Sequence, residues 1–203
     1  MKFYNSIGPN PKMVRMYLAE RGLKLDTVEV DIIAAENRQD EYTKRNPRGQ
    51  LPCLELEDGS HLAEITVICE YLDDINGSSE LVGKTPEARA ATRMWMRRAD
   101  LYVCEPLANG FRFADGLPMF ENRLLCRPEA ADGLKAMAAN GIGWFDSHLD
   151  GRTWLSGESF TIADCLLFAF LEFGATVGQP IPADSKNMKA WYERVEARPS
   201  ASA

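Results

Sequence analysis

Five cysteines (Cys53, Cys69, Cys104, Cys126 and Cys165) and two histidines (His61 and His148) are the side chains that would carry metal or redox chemistry here. The cysteines are scattered, odd in number and form no Cys-x-x-Cys pair. That pattern excludes a zinc knuckle or a disulfide framework and predicts reduced thiols in a cytoplasm. Two isolated histidines make no His-rich site, so no metal is expected. Glu64 opens a helical pattern, where unpaired backbone N–H groups and the helix dipole favour an anion. A first-turn acid placed for the dipole alone would look the same. Phe160-Thr161-Ile162-Ala163-Asp164-Cys165 reads as a folding device: Thr161 caps a helix, and Asp164 at its third position reaches back to the Thr161 amide. Phe160 and Cys165 supply the hydrophobic staple that accompanies such a cap.

These residues need a scaffold, and the chain is long enough for one. Its 203 residues, 45% hydrophobic and 26% charged, suit one large globular domain or two small ones. The net charge is −7 with no basic block, which argues against nucleic acid or an anionic membrane as principal partner. The opening MKFYNSIGPNPK turns polar after four residues, so no signal peptide is expected. No run approaches the ~20 apolar residues of a membrane span.

Charge and texture divide the chain. Residues 1–80 carry 9 basic and 15 acidic side chains, the remainder 14 and 15. Asn76-Gly77-Ser78-Ser79, followed by Thr85-Pro86, has the composition of a linker. Before it, Lys2–Asn5 reads as a strand. A helix follows, capped by Asn10, with Pro11 at its first position and Gly22 closing it after Arg21. Val28, Val30 and Ile32 alternate in a strand from Thr27 to Ile32. Glu36–Asn46 is helix-permissive and ends at Pro47 and Gly49. Leu51–Glu57 and Ser60–Ala63 flank the hairpin turn Asp58-Gly59, and Ile65–Ile75 is an amphipathic helix. The order β-α-β-α-β-β-α is thioredoxin-like. The second part predicts helices over Pro86 to about Phe113, Pro128–Leu149, Thr161–Gly174 and Ser185–Ala197. The expected fold is therefore an α/β thioredoxin-like domain over 1–78 and an all-α domain over 85–203.

Three motifs in this order resemble a cytosolic glutathione transferase of bacterial type. They are Asn46-Pro47-Arg48-Gly49-Gln50-Leu51-Pro52, Glu64 before a helix reading Cys69-Glu70-Tyr71-Leu72, and Phe160 to Asp164 in a helical second half. The likeness extends to Trp191-Tyr192-Glu193-Arg194-Val195 and Arg198-Pro199. It implies glutathione as co-substrate, an apolar electrophile held by the helical domain, a homodimer and a detoxifying role in the cytoplasm.

The resemblance also implies a site. Leu51-Pro52 would be the cis-proline turn, with the Leu51 backbone pairing with the cysteinyl part of glutathione and Gln50 reaching its glycyl end. Glu64 would take the γ-glutamyl ammonium, and the Ile65 amide and Thr66 hydroxyl its carboxylate. Ile65 departs from the family, which commonly has serine there. For the residue that stabilises the thiolate, three candidates stand. Asn10 falls at the cysteine-type position, Tyr4 at the tyrosine-type position, and Ser6 is the simplest hydroxyl donor in the same loop. Gly8, at the serine-type position, has no side chain to offer. Asp100 resembles an acid that some members lend across the dimer, and Cys53 follows the cis-proline. Met94, Trp95, Tyr102, Phe111 and Phe113 are expected mostly in the core, with part of the stripe lining the electrophile pocket. Two other activities remain open on the same residues: a glutathione-dependent disulfide reductase or peroxidase, and a non-catalytic glutathione- or protein-binding member.

Overall fold

Alternation along β1 (Lys2–Asn5) sends Phe3 and Tyr4 to opposite faces of a sheet, and that division organises the first part of the chain. In the computed structural model, which describes all 203 residues, β1 is followed by α1 (Pro9–Arg21), β2 (Asp26–Glu29), α2 (Asp40–Thr43), β3 (Cys53–Glu55), β4 (His61–Leu62) and α3 (Ile65–Ile75). The sheet order is β2-β1-β3-β4, with β1 parallel to β2 and antiparallel to β3, and β4 antiparallel to β3. Phe3 and Leu54 enter a large core with Met13, Tyr17, Ile68 and Leu72 of α1 and α3. Tyr4 and Cys53 pack on the other face against Tyr42 of α2.

Local chemistry sets the boundaries. Gly22 takes the left-handed conformation (φ 62°) after α1, and the Leu23 N–H reaches the Leu18 carbonyl at 2.9 Å. Asp58 Oδ1 accepts from the Ser60 N–H at 2.9 Å and its hydroxyl at 2.6 Å, closing the β3–β4 turn. Three expectations need correction. Asn10 is not the cap of α1: Pro9 already has helical geometry, and Gly8 at φ 106° makes the entry turn. β2 ends at Glu29 instead of Ile32, because Asp31 Oδ1 accepts the Ile33 and Ala34 N–H groups and turns the chain away. The helix expected over Glu36–Asn46 is broken at extended Gln39 into a 3₁₀ turn (Glu36–Arg38) and the single turn of α2.

The second part is helical: α4 (Pro86–Ala99), α5 (Glu105–Arg112), α6 (Leu117–Phe120), α7 (Ala131–His148), α8 (Ile162–Thr176) and α9 (Lys186–Glu196). α8 is its axis, with 11 of 15 residues buried, and it packs on α1 and α4. Asp164, fully buried in its first turn, accepts from the Thr161 N–H at 2.9 Å, the return bond of a capping box. α4 and α5 are not one regular helix: Asp100–Cys104 forms a π turn between them. Gly141 of α7 lies against that turn so closely that a Cβ there would stand 2.1 Å from the Tyr102 carbonyl oxygen. The two parts are tied at the chain end, where Glu20 of α1 accepts from the Arg198 guanidinium at 2.7 and 2.8 Å and from the Ser200 hydroxyl at 2.5 Å.

Candidate functional site

A cavity of about 800 Å³ opens between the sheet part and the helical part, within the size range of small-molecule sites. Its first wall comes from loops and helix starts that the sheet presents: Gly8 and Asn10, Gln50 to Pro52, and Glu64 to Thr66. The Leu51-Pro52 peptide bond is cis. The Leu51 N–H and C=O find no partner within the chain, whereas the Gln50 carbonyl accepts from both Tyr42 Oη and Asn46 Nδ2 at 2.8 Å. Leu51 therefore offers one free donor and one free acceptor to an extended ligand backbone. The Gln50 side chain is exposed.

Glu64 adopts φ 70° and ψ 118°, a region that side-chain-bearing residues rarely enter, immediately before α3. That conformation leaves its side chain exposed and uncommitted at the rim, with the Ile65 and Thr66 amides in the first turn behind it. At the entry to α1, Pro9 and Pro11 have no N–H, and the Lys12 N–H is bonded to the Gly8 carbonyl at 3.2 Å. Asn10 is thus the one residue of that first turn with a free backbone donor, and it carries a side-chain amide besides.

The other two thiolate candidates do not reach this wall. Ser6 is buried, and its hydroxyl donates to the Val30 carbonyl at 2.7 Å. Tyr4 lies on the opposite sheet face, where its hydroxyl donates to Glu55 Oε2 at 2.6 Å and burial raises its pKa. Cys53 pairs with Tyr4 across the strands, is fully buried, and has its thiol pushed up to about 11 by desolvation. It stays protonated, as an inert core residue does.

The second wall is helical. Phe111, Phe113, Phe120 and Phe173 line it, with Phe111 edge-on to Phe120 (6.2 Å) and to Phe173 (5.3 Å). Met94, Trp95 and Tyr102 do not: Trp95 stacks on His148 at 3.9 Å, and Met94 and Tyr102 are exposed on the outside. Asp100 reaches the cavity within its own chain. It accepts from Arg97 Nη1 at 2.9 Å, and burial, then Glu105, raises its carboxyl pKa against the Arg97 charge. The π turn sets the phase of the cavity-facing residues beyond it. Arg93, Arg97 and Asp100 keep α-helical spacing, then Glu105 comes five residues on, and Asn109 and Arg112 continue from it.

Sequence reasoning missed the arginines. Six of them (Arg38, Arg48, Arg93, Arg97, Arg112 and Arg123) line the cavity with only Glu64, Asp100 and Glu105 among the acids. Arg93 pairs with Glu70 and Arg97 with Asp100; the other four form no ion pair. Burial, then Arg123 and Arg48, lower the pKa of Arg38. Apart from Arg48, inside the Asn46–Pro52 motif, the signal was present only as charges scattered over separate segments.

Comparison with known proteins agrees with this geometry. Residues 7–75 match the profile of the glutathione S-transferase N-terminal domain, and residues 127–199 that of the C-terminal domain. Glutathione S-transferase 2 of Saccharomyces cerevisiae is 34% identical over 195 residues, covering 95% of this chain and 84% of the relative. The crystal structure of Gtt2 from Saccharomyces cerevisiae superposes with a TM-score of 0.93 at 34% identity, covering 100% of this chain and 99% of that one. A glutathione S-transferase domain-containing protein of Marinobacter aquaeolei VT8 gives a TM-score of 0.92 at 33% identity, covering 98% and 99%. With a mixed sheet followed by a helical bundle and a cavity between them, the chain belongs to the glutathione S-transferase family.

Proposed function

We propose that the chain conjugates the glutathione thiolate to an apolar electrophile, acting as a cytoplasmic homodimer in detoxification. Residues 1–78 bind glutathione, and residues 85–203 hold the electrophile and part of the dimer interface. The observation that carries this reading is the continuity of one cavity from the free Leu51 backbone and the α3 N-terminus to the Phe111–Phe120–Phe173 wall. Glutathione lies along the first wall, its cysteinyl part on Leu51 beside Pro52 and its glycyl end toward Gln50. The Ile65 amide and Thr66 take its γ-glutamyl carboxylate, and Glu64 takes the ammonium. Asn10 donates to the sulfur. The sulfur lone pair then attacks the electrophilic carbon, and the leaving group departs with the bonding electrons.

The test is titration of bound glutathione by its ultraviolet thiolate absorbance. A free thiol titrates near ~8.5, and a donor at a helix N-terminus should bring the bound value at least about one unit lower. Bound glutathione that titrates as it does in water would sink the transferase reading. A second reading has one observation in its favour. Asn10, and neither the Ser6 nor the Tyr4 hydroxyl, stands at the cavity, which also suits glutathione-dependent reduction of disulfides or hydroperoxides. Turnover of those substrates, with none of aryl or benzylic halides, would establish it instead.

A further inference from the structure

Arg112 is the arginine of the cavity that nothing around it explains. It ends α5, on the helical side, and its guanidinium carbon sits 5.7 Å above the Phe120 ring. No carboxylate lies within ion-pair distance. Its Nη1 donates to Asn109 Oδ1 at 3.0 Å, which occupies one of five N–H donors and neutralises nothing. Glu105, two turns earlier on the same face, is itself held by Asn109, whose Nδ2 donates to Glu105 Oε2 at 3.1 Å. Burial lowers the Arg112 pKa while Glu105 and Cys126 oppose it, so this charge is short of water and only partly compensated. A desolvated guanidinium among phenyl rings is costly to fold and accepts a planar anion in two charge-assisted bonds.

The remaining arginines have other surroundings. Arg93 and Arg97 are paired. Arg38 and Arg48 adjoin Gly49 and Gln50 at the glutathione end, and Arg123, bonded to the Ile32 carbonyl at 2.9 Å, lies where its charge acts on Arg38. Of the six, Arg112 is the one whose guanidinium lies over a ring of the aromatic wall. We infer that the electrophile is an anionic one, an apolar body bearing a carboxylate that seats on Arg112. This inference rests on the transferase reading of the same cavity and names its substrate class.

The experiment compares 4-(chloromethyl)benzoate with its methyl ester, each rate divided by the uncatalysed reaction with glutathione. In both, a sulfur–carbon bond forms at the benzylic carbon as chloride leaves with the electrons, and the thiol proton passes to solvent. The native protein should favour the carboxylate by about tenfold or more in kcat/KM, the scale of one charge-assisted pair. Arg112→Gln should abolish that preference while keeping ester turnover within about threefold, and Arg112→Lys should keep part of it. Thermal melts check that both variants fold. Equal native rates, or an equal loss on both substrates, would overturn the inference. Calorimetry with S-(4-carboxybenzyl)glutathione and its methyl ester reads the same preference without turnover. If neither halide reacts but the acid conjugate binds about tenfold more tightly, and Arg112→Gln removes the difference, the transferase reading falls and the anion subsite stands. Equal affinity for the two conjugates would overturn the subsite itself.

Discussion

Trp191 Nε1–H donates to Asp164 Oδ1 over 2.9 Å, joining α9 to the first turn of α8 through a carboxylate with no solvent exposure. The same carboxylate accepts from the Leu155 N–H at 3.0 Å, the Thr161 N–H at 2.9 Å and the Thr161 hydroxyl at 3.1 Å. Burial raises the Asp164 pKa and these bonds oppose the rise. One side chain therefore fixes a helix start, the approach to it, and a neighbouring helix.

Asp164→Ala should cost more than a lost cap. It strands several buried donors, each at about 1–3 kcal/mol, so a total of about 3–5 kcal/mol is expected. Urea unfolding monitored by Trp fluorescence measures it. A loss of less than about 1 kcal/mol would show that the donors find other partners.

The three thiolate candidates separate cleanly. Asn10→Ala should move the bound glutathione thiol most of the way back to its free value, ~1.4 kcal/mol of thiolate stabilisation for each unit. Ser6→Ala and Tyr4→Phe should leave that titration and glutathione affinity within a few-fold, because their hydroxyls serve Val30 and Glu55. Each should lower stability by about 1 kcal/mol for the lost hydrogen bond. A thiol shift in either hydroxyl variant, with none in Asn10→Ala, would reverse the assignment.

Acid stability should depend on Glu20. Its bonds from Arg198 and Ser200 hold its pKa below the ordinary glutamate value against burial. The unfolded chain then takes up a proton that the native state still refuses. The contribution is full above about pH 4.5 and is lost as pH falls through the depressed native value. Glu20→Gln should flatten that part of the acid limb in a series of melts between about pH 3 and pH 7. An unchanged slope would remove Glu20 from the account.

Much of the fold was legible because its signals are local. Gly22, Asp58-Gly59 and the Thr161–Asp164 pair each act through bonds within a few residues, and each lies where the pattern put it. The misread boundaries are contests between equally local signals. Two Asn/Gly–Pro steps compete to begin α1, and Pro9, with φ already near helical, wins over the cap expected at Asn10. Asp31 looks like strand surface in the sequence but accepts from the Ile33 and Ala34 amides and ends β2. The cavity was legible on its first wall, where Gln50 to Pro52 and Glu64 to Thr66 are contiguous. Its second wall gathers Arg112, Phe120 and Phe173 from three helices, and only packing brings those together. The π turn did have a local mark that the helical reading passed over: Pro106 has no N–H for the Tyr102 carbonyl four residues back.

Gly141 tests how firmly that turn is gripped. With a Cβ due at 2.1 Å from the Tyr102 oxygen and 2.8 Å from its carbonyl carbon, backbone must move to admit alanine. Gly141→Ala should destabilise by about 1–3 kcal/mol despite alanine's better helix propensity. Gly143→Ala, two residues on with nothing near its Cβ, should be neutral or stabilising. Equal effects in guanidinium melts would mean α7 slides freely over the turn.

The wide turn at Asp100–Cys104 has a consequence for how such a pocket changes over generations. It holds one residue beyond the regular ladder, and the turn absorbs that surplus before α5 begins. Deleting a single codon there would shorten the five-residue step from Asp100 to Glu105 to the four of a regular helix and leave Glu105, Asn109 and Arg112 on the cavity face. In an uninterrupted helix the same change of length would turn every side chain beyond it by about 100°, so this joint lets the scaffold vary in length without losing its pocket.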